Sequence, residues 1–286
     1  MARELTYSLA EVLRTERLSP HLVRLEVGGP LMAGWSTTGV PDEAFLLGVP
    51  RADGSVVHPD DVPEGDDAYS HTRWYTVRRF DAVTGTITFD VVVHDEGVAT
   101  TWAQSARVGE TVGVSTTTSW YARPADATWQ VLYGDVVALP AIGRMIEEAP
   151  DGVRTTAHVE VHGPEDELAE LGDAVTWHHT PDLGRTSRLG EIVASTSLPE
   201  GPGYVYVAGE AAATRAAKRH LRQECGLPRG TYGIVGYWRA QAEEWMRRYE
   251  QSGIDLETVY AEGEKQGLDE EQLSDEVDRR LEAAGL

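Results

Sequence analysis

Residues 127–150 read ATWQVLYGDVVALPAIGRMIEEAP, and this stretch decides the fold. An apolar strand, ATWQVLYGD, runs into a turn at Gly134-Asp135. A helix then begins with Pro140 in its first turn, where a missing N–H leaves no helical bond unmade. The unit recurs downstream: TTAHVEVHG at 155–163 is the next strand, and GPGYVYVAGE at 201–210 leads into the helical AAATRAAKRHLRQECGL. Strands alternating with helices imply a parallel sheet covered by helices.

Upstream the pattern differs. HLVRLEVGG at 21–29, EAFLLGVP at 43–50, WYTVRRF at 74–80, TGTITFDVVVH at 84–94 and ETVGV at 110–114 are short strands separated by turn signals. Thr86, Thr88, Asp90, Val92 and His94 alternate with Ile87, Phe89, Val91 and Val93, the period-2 pattern of a strand with one buried face. Many short strands without a helical period predict a barrel. Residues 51–71, rich in Gly, Pro and Asp, read as an exposed loop. Beyond Gln241 the chain is helical and acidic, with apolar stripes at Leu273, Val277 and Leu281 and at Leu256, Val259 and Tyr260. The expected division is therefore a barrel over 1–125, an α/β domain over 126–240 and a helical extension over 241–286, with no internal repeat.

Composition narrows the function. Forty-seven acidic against 25 basic residues give a net charge of −22, which disfavours nucleic acid and anionic membranes as partners. One cysteine, Cys225, allows no intrachain disulfide, no protein-held iron–sulfur cluster and no cysteine zinc site, so redox chemistry must come from a bound cofactor. The N-terminus has no apolar signal region and no stretch is long enough to span a bilayer, so a soluble, cytoplasmic protein is expected.

Five segments carry candidate chemistry. In RWYTVR at 73–78, Arg73, Tyr75 and Thr76 offer a cation for phosphate, a ring for a flavin and a donor to its polar edge, although an ordinary exposed strand explains them equally well. His94-Asp95-Glu96-Gly97-Val98-Ala99-Thr100 joins a strand end to a helix start, where backbone N–H groups suit a pyrophosphate. Gly134-Asp135 stands where a dinucleotide-binding turn belongs but lacks the G-x-G-x-x-G pattern. Ala208-Gly209-Glu210 and Gly236-Tyr237-Trp238-Arg239 end later strands, and each alone could be core packing.

Taken in order, RxYTxR, HxxGxAxxWA, GDxxALPAI, AGE and GYWR over 73–239 resemble the siderophore-interacting protein family, flavin-dependent ferric-siderophore reductases related to ferredoxin–NADP reductases. The resemblance spans roughly residues 4–240. It implies a six-stranded antiparallel FAD-binding β-barrel followed by a parallel-sheet α/β nicotinamide-type domain and a C-terminal helical tail. It also implies that Arg73, Tyr75 and Thr76 contact the flavin and its ribityl phosphate, with His94 beside it. Gly97, Val98, Ala99 and Thr100 would cradle the pyrophosphate, and Trp238 belongs to the same cofactor set. Three departures stand out. Asp95 replaces a common Gly, Val136-Val137 replaces a position that is typically acidic, and a hydroxyl run replaces a frequent Gly-Pro pair. In that run Thr116, Thr117 and Thr118 are candidates for the adenosine part of FAD.

The activity so implied is reduction of a ferric siderophore to release Fe(II), electrons passing from NAD(P)H or ferredoxin through FAD. No protein residue is expected to act catalytically and no resident metal is expected. Against the charge of −22, an anionic chelate needs a local basic patch, for which Arg51, Arg123 and Arg239 are candidates. Glu160, His162, Glu165 and Asp166 follow the second α/β strand with no nearby Lys or Arg in the sequence, which favours NADH over NADPH. The tail resembles that of a longer family branch, which implies an extra helix packed back on the protein, where it could limit nicotinamide access and leaves the donor open. Alternative readings are a flavin reductase supplying an oxygenase and a non-enzymatic siderophore-binding protein.

Overall fold

A computed structural model describes residues 6–56, 71–94 and 97–286. The chain divides into two compact units, Met1–Trp238 and Arg239–Leu286. Most of the loop expected over 51–71 lies outside the described residues, as does Asp95.

The first unit opens with seven antiparallel strands: β1 (Tyr7–Ser19), β2 (Leu22–Gly28), β3 (Ala44–Gly48), β4 (Thr72–Thr76), β5 (Arg79–Asp81), β6 (Thr86–Val92) and β7 (Thr111–Ser115). Their order is β4-β3-β7-β1-β2-β6-β5. The edge strands β4 and β5 are consecutive in the chain, with only Val77 and Arg78 between them. One bent segment thus bonds β3 with its first half and β6 with its second, and the Arg78 N–H donates to the Thr88 carbonyl at 2.9 Å. The sheet closes through that bend, and with β4 and β5 counted as one strand it is the six-stranded barrel that was expected.

The barrel interior holds Leu25, Phe45, Ile87, Phe89, Val112 and Val114, all fully buried. In β6 the apolar face behaves as the alternation predicts, but Asp90 on the other face is also buried. Its carboxylate takes two hydrogen bonds from Arg24, at 2.7 and 2.9 Å, which compensates the charge removed from water. After β6, helix α1 (Val98–Ala103) packs Trp102 and Ala103 against the barrel core.

The second sheet is wholly parallel, in the order β10-β9-β8-β11-β12. Its strands are β8 (Trp129–Asp135), β9 (Arg154–Val161), β10 (Val175–His179), β11 (Gly203–Glu210) and β12 (Tyr232–Trp238). Helices α2 (Leu139–Glu147), α3 (Leu189–Ser195) and α4 (Ala211–Gln223) cover it. Every residue of β8 is buried because both sheet faces are packed, which explains its unbroken apolar run. The chain proceeds from β8 to one side through β9 and β10, then returns beside β8 as β11. The order reverses between β8 and β11, the position at which open parallel sheets bind ligands.

Buried polar contacts join the two sheets. Arg144 on α2 donates from one Nη1 to Glu43 beside β3 at 2.8 Å and to the Val77 carbonyl at 3.0 Å. Arg78 grips Glu147 with both terminal nitrogens.

The second unit contains α5 (Ala242–Ser252), α6 (Leu256–Lys265) and α7 (Glu270–Ala283). Asp255 caps α6, and Asp269 with Gln272 forms a reciprocal cap on α7. Val259, Leu273 and Leu281 from the expected stripes are buried, whereas Tyr260 is exposed. Gly263 lets α6 and α7 approach, since a Cβ there would lie 2.2 Å from Leu273 Cδ2. Among the described residues no helix is long and apolar enough to cross a membrane.

Candidate functional site

The candidate cofactor corner is assembled from three adjacent parts of the barrel. On β4, alternation places Arg73 and Tyr75 on one face and Thr72, Trp74 and Thr76 on the other. Arg73 is exposed, and its guanidinium donates to the Thr72 carbonyl at 2.7 Å. Tyr75 packs on the barrel core with its ring 5.5 Å from that of Phe89, and burial pushes its hydroxyl well above the usual tyrosine range. Thr76 faces away from both and is buried. Arg73 and Tyr75 therefore share a face, and Thr76 does not join them on it.

The second part is the turn from β6 into α1. Gly97 caps α1 with φ +128°, a conformation that L side chains rarely adopt. A Cβ there would come within 3.1 Å of the His94 ring and 3.3 Å of Thr100 Cγ2. The N–H groups of Val98, Ala99 and Thr100 lie in the first turn and have no i−4 carbonyl inside the helix. His94 is exposed. The Thr100 hydroxyl is buried, accepting from the His94 N–H at 3.1 Å and donating to the His94 carbonyl at 3.3 Å, so it braces the turn and only its N–H can face a ligand.

The third part follows β7. Thr118 bridges Ala44, and Ala44 pairs with Thr76, so these residues form a row across three chain segments. The hydroxyls of Thr116, Thr117 and Thr118 do not act as a set. Thr117 is buried and donates to Glu43 at 3.0 Å, whereas Thr116 Oγ1 is buried with no hydrogen-bond partner among the described residues. Burial pushes the Glu43 carboxyl up, but hydrogen bonds from Thr37, Arg144 and Thr38 outweigh it and hold the group below the ordinary glutamate range.

These residues suit FAD. An exposed guanidinium, a backbone cradle that a Cβ would fill and an unsatisfied buried hydroxyl match a ligand with a pyrophosphate and a polar ribityl chain.

Facing this corner is a polar chain that sequence reading missed. Tyr206 and Tyr237 are hydrogen-bonded at 2.9 Å, and Tyr206 also donates to Asp42 at 3.2 Å. Asp42 lies fully buried with its second oxygen unpartnered among the described residues, and burial raises its carboxyl despite the N–H groups of Tyr121 and Trp120. Asp42 and Tyr206 are 164 positions apart, so no local pattern announces their contact.

At the β8/β11 switch point, Asp135 accepts from the Val137 N–H at 3.0 Å, the Glu210 N–H at 2.8 Å and the Trp238 indole at 2.7 Å. Burial pushes its carboxyl up to about 7 against the pull of these bonds, with Glu160 adding to the rise. Trp238 is thus anchored at the end of β8. Glu160 is buried too, and accepts from Thr180 and the Arg188 N–H through one oxygen and from Ser187 through the other, each at 2.7 Å. The connection after β10 folds back to Glu160, because neighbouring parallel strands end on the same edge, but it does so through the main-chain N–H of Arg188, whose guanidinium pairs with Glu191 at 3.1 Å.

The three arginines proposed for substrate each make their own local contacts. Arg123 is partly buried and donates to the carbonyls of Pro124 and Ala127 at 3.1 and 3.2 Å, bracing the connection between the sheets. Arg51 opens a turn, its N–H donating to the Ser55 carbonyl at 2.8 Å. Arg239 begins the second unit, where its guanidinium lies 3.9 Å from the centre of the Trp245 ring.

Comparison with known proteins agrees with this architecture. Residues 11–118 match the model of the siderophore-interacting FAD-binding domain, and residues 127–241 match that of the siderophore-interacting protein. A protein of Mycobacterium tuberculosis is 31% identical over 278 residues, covering 86% of this chain and 95% of its own. The NADPH-dependent ferric-chelate reductase of Escherichia coli is 26% identical, covering 84% and 93%. A crystal structure of a siderophore utilization protein from T. fusca superimposes with a TM-score of 0.71 at 35% identity, covering 84% of this chain and 95% of that one. With the barrel, the switch-point sheet and the cofactor corner in place, the chain belongs to the siderophore-interacting protein family and carries its FAD-binding domain.

Proposed function

We propose that this protein reduces the iron of a ferric siderophore, with electrons passing from NADH, NADPH or reduced ferredoxin through FAD. The observation that carries the reading is the Gly97 turn, a backbone cradle within the span that matches the FAD-binding domain, with the exposed Arg73 and the unsatisfied Thr116 hydroxyl in the same span. The name of the Escherichia coli relative supports the reaction class. FAD supplies the exchange between a two-electron donor and a one-electron acceptor.

The chain's own residues bind and orient. Arg73 pairs with a phosphate and Tyr75 presents its ring to the flavin. His94 lies beside it, and Thr76, on the opposite face of β4, can serve the flavin only at an edge that reaches past that strand. The N–H groups of Gly97, Val98, Ala99 and Thr100 hold the pyrophosphate. Thr116 bonds the adenosine part, with Thr117 and Thr118 fixing the loop, and Trp238 closes the site from the α/β side. No side chain need act as nucleophile or base. Arg51, Arg123 and Arg239 remain candidates to attract an anionic chelate. Fe(II), with its lower charge, is held less tightly by hydroxamate or catecholate oxygens and is released.

A functional division near residues 125 and 240 fits the spans of the two family models. A cytoplasmic setting accords with the single cysteine. The test is the visible spectrum of the purified protein under anaerobic conditions. Flavin bands should bleach on adding a donor and return on adding a ferric siderophore. A colourless protein would favour siderophore binding alone, and bands that bleach but do not return would favour a flavin reductase serving an oxygenase.

A further inference from the structure

Away from the cofactor corner, two histidines and a carboxylate converge where the barrel meets the α/β domain. His21 comes from the β1–β2 turn, and His162 and Asp166 follow β9. Their donor atoms all lie within 4.8 Å of one another. His21 Nδ1 is 2.8 Å from Asp166 Oδ2, and His162 Nδ1 is 3.5 Å from the same oxygen. The imidazoles stack at 3.9 Å, which puts both Nδ1 atoms along one edge facing that oxygen.

The surroundings prepare each group as a ligand. His162 Nε2–H donates to the Leu183 carbonyl at 2.8 Å, so the lone pair resides on Nδ1, and that nitrogen is buried with no hydrogen-bond partner among the described residues. Asp166 is fully buried, and its Oδ1 accepts from Ser19 at 2.5 Å, leaving Oδ2 to the cluster. An unprotonated nitrogen and a carboxylate oxygen at 3.5 Å are two acceptors, an arrangement that a cation between them would satisfy. His21 is about one-third exposed and leaves the cluster open to water.

We propose that His21, His162 and Asp166 form a binding site for one divalent first-row transition-metal ion, which clasps the β1–β2 turn to the end of β9. A tetrahedral ion with nitrogen and oxygen donors at about 2.0–2.2 Å holds those donors about 3.3 Å apart, and the two distances to Asp166 Oδ2 bracket that separation. Three protein ligands leave one position for water or an exchangeable group. Two imidazoles and one carboxylate select zinc, cobalt, nickel or iron(II) over magnesium or calcium. In the ion-free protein the His21 Nδ1 proton bridges to Asp166; the ion displaces it as the His21 ring turns out of the stack, so binding releases a proton.

The experiment uses the full flavoprotein carrying Cys225→Ser. That change removes one competing pair of donors, Cys225 Sγ at 3.3 Å from His220 Nε2. After chelator treatment, Zn2+ is titrated by calorimetry, Co2+ by its visible absorption, and Mg2+ as a control. The expected result is one equivalent of Zn2+ or Co2+ with a raised melting temperature, and none of Mg2+. His21→Ala and His162→Ala should each weaken zinc binding by about tenfold or more and abolish the thermal shift, with the flavin spectrum unchanged. His21 is partly exposed, so His21→Ala keeps the test decisive if the His162 variant does not fold. Failure of the parent to bind either ion, or binding by His21→Ala as tight as the parent's, would overturn the proposal.

Discussion

Burial raises the Asp135 carboxyl into the neutral range. Its folded-state carboxyl holds a proton up to about 7, against 3.8 for the free side chain. Between those values the folded protein binds more protons than the unfolded chain, so the contribution of this group to stability falls as pH rises from about 4 to about 7. Because the carboxylate accepts the Trp238 indole N–H, one of the eight indole resonances should shift with a midpoint near 7. An NMR titration in which no indole responds in that range would contradict the assignment. The sequence singled out both residues as strand-end motifs, yet their contact, 103 positions apart, depends on the parallel pairing of β8, β11 and β12. At the cofactor corner, Arg73→Ala and Thr116→Val should each weaken FAD binding by roughly tenfold, as expected for loss of one charged or otherwise unmatched hydrogen bond. FAD titration of the apoprotein checks this, and unchanged affinity in both variants would remove these residues from the site.

At the scale of elements, the β6–α1 turn and β4 were legible because their chemistry is local. A strand end, a glycine and a helix start are consecutive, and an Arg and an aromatic two apart on a strand must share a face. Gly97→Ala should place a Cβ against His94 at a positive φ and cost about 1–3 kcal/mol, with FAD affinity falling as the turn opens. Equal melting temperature and flavin content in that variant would show that the turn tolerates the change. What the sequence did not disclose is how elements reuse one another. The bend at Val77-Arg78 joins the two edges of the barrel, Thr117 turns inward to Glu43, and the segment after β10 returns to cover Glu160. Strand β10 and helix α3 are short and went unmarked, since five to seven residues carry little periodic signal.

Across the whole molecule, a buried ion pair joins the two sheets of the first unit alongside apolar packing such as Leu22 in the α/β core. Glu43 and Arg144 are 101 positions apart and both buried, so neither could be read as a pair in advance. Removing one partner leaves a buried charge uncompensated, and Glu43→Ala should cost about 3 kcal/mol, read as a lower melting temperature. Pairing it with Arg144→Met should recover part of the loss, and no recovery would point to the Thr37, Thr38 and Thr117 bonds instead. Every residue assigned here to FAD lies within Met1–Trp238, so truncation after Ala240 should leave flavin content intact. Loss of flavin on truncation would place part of the cofactor site in the tail. The most direct measurement of the central claim is anaerobic ferric-siderophore reduction by the FAD-loaded protein, with Fe(II) trapped by a chromogenic chelator and NADH, NADPH and reduced ferredoxin run in parallel. The account predicts Fe(II) formation with at least one donor, at a rate that tracks flavin content and falls in Arg73→Ala. Flavin-replete protein that yields no Fe(II) above the protein-free control with any of the three donors would contradict it.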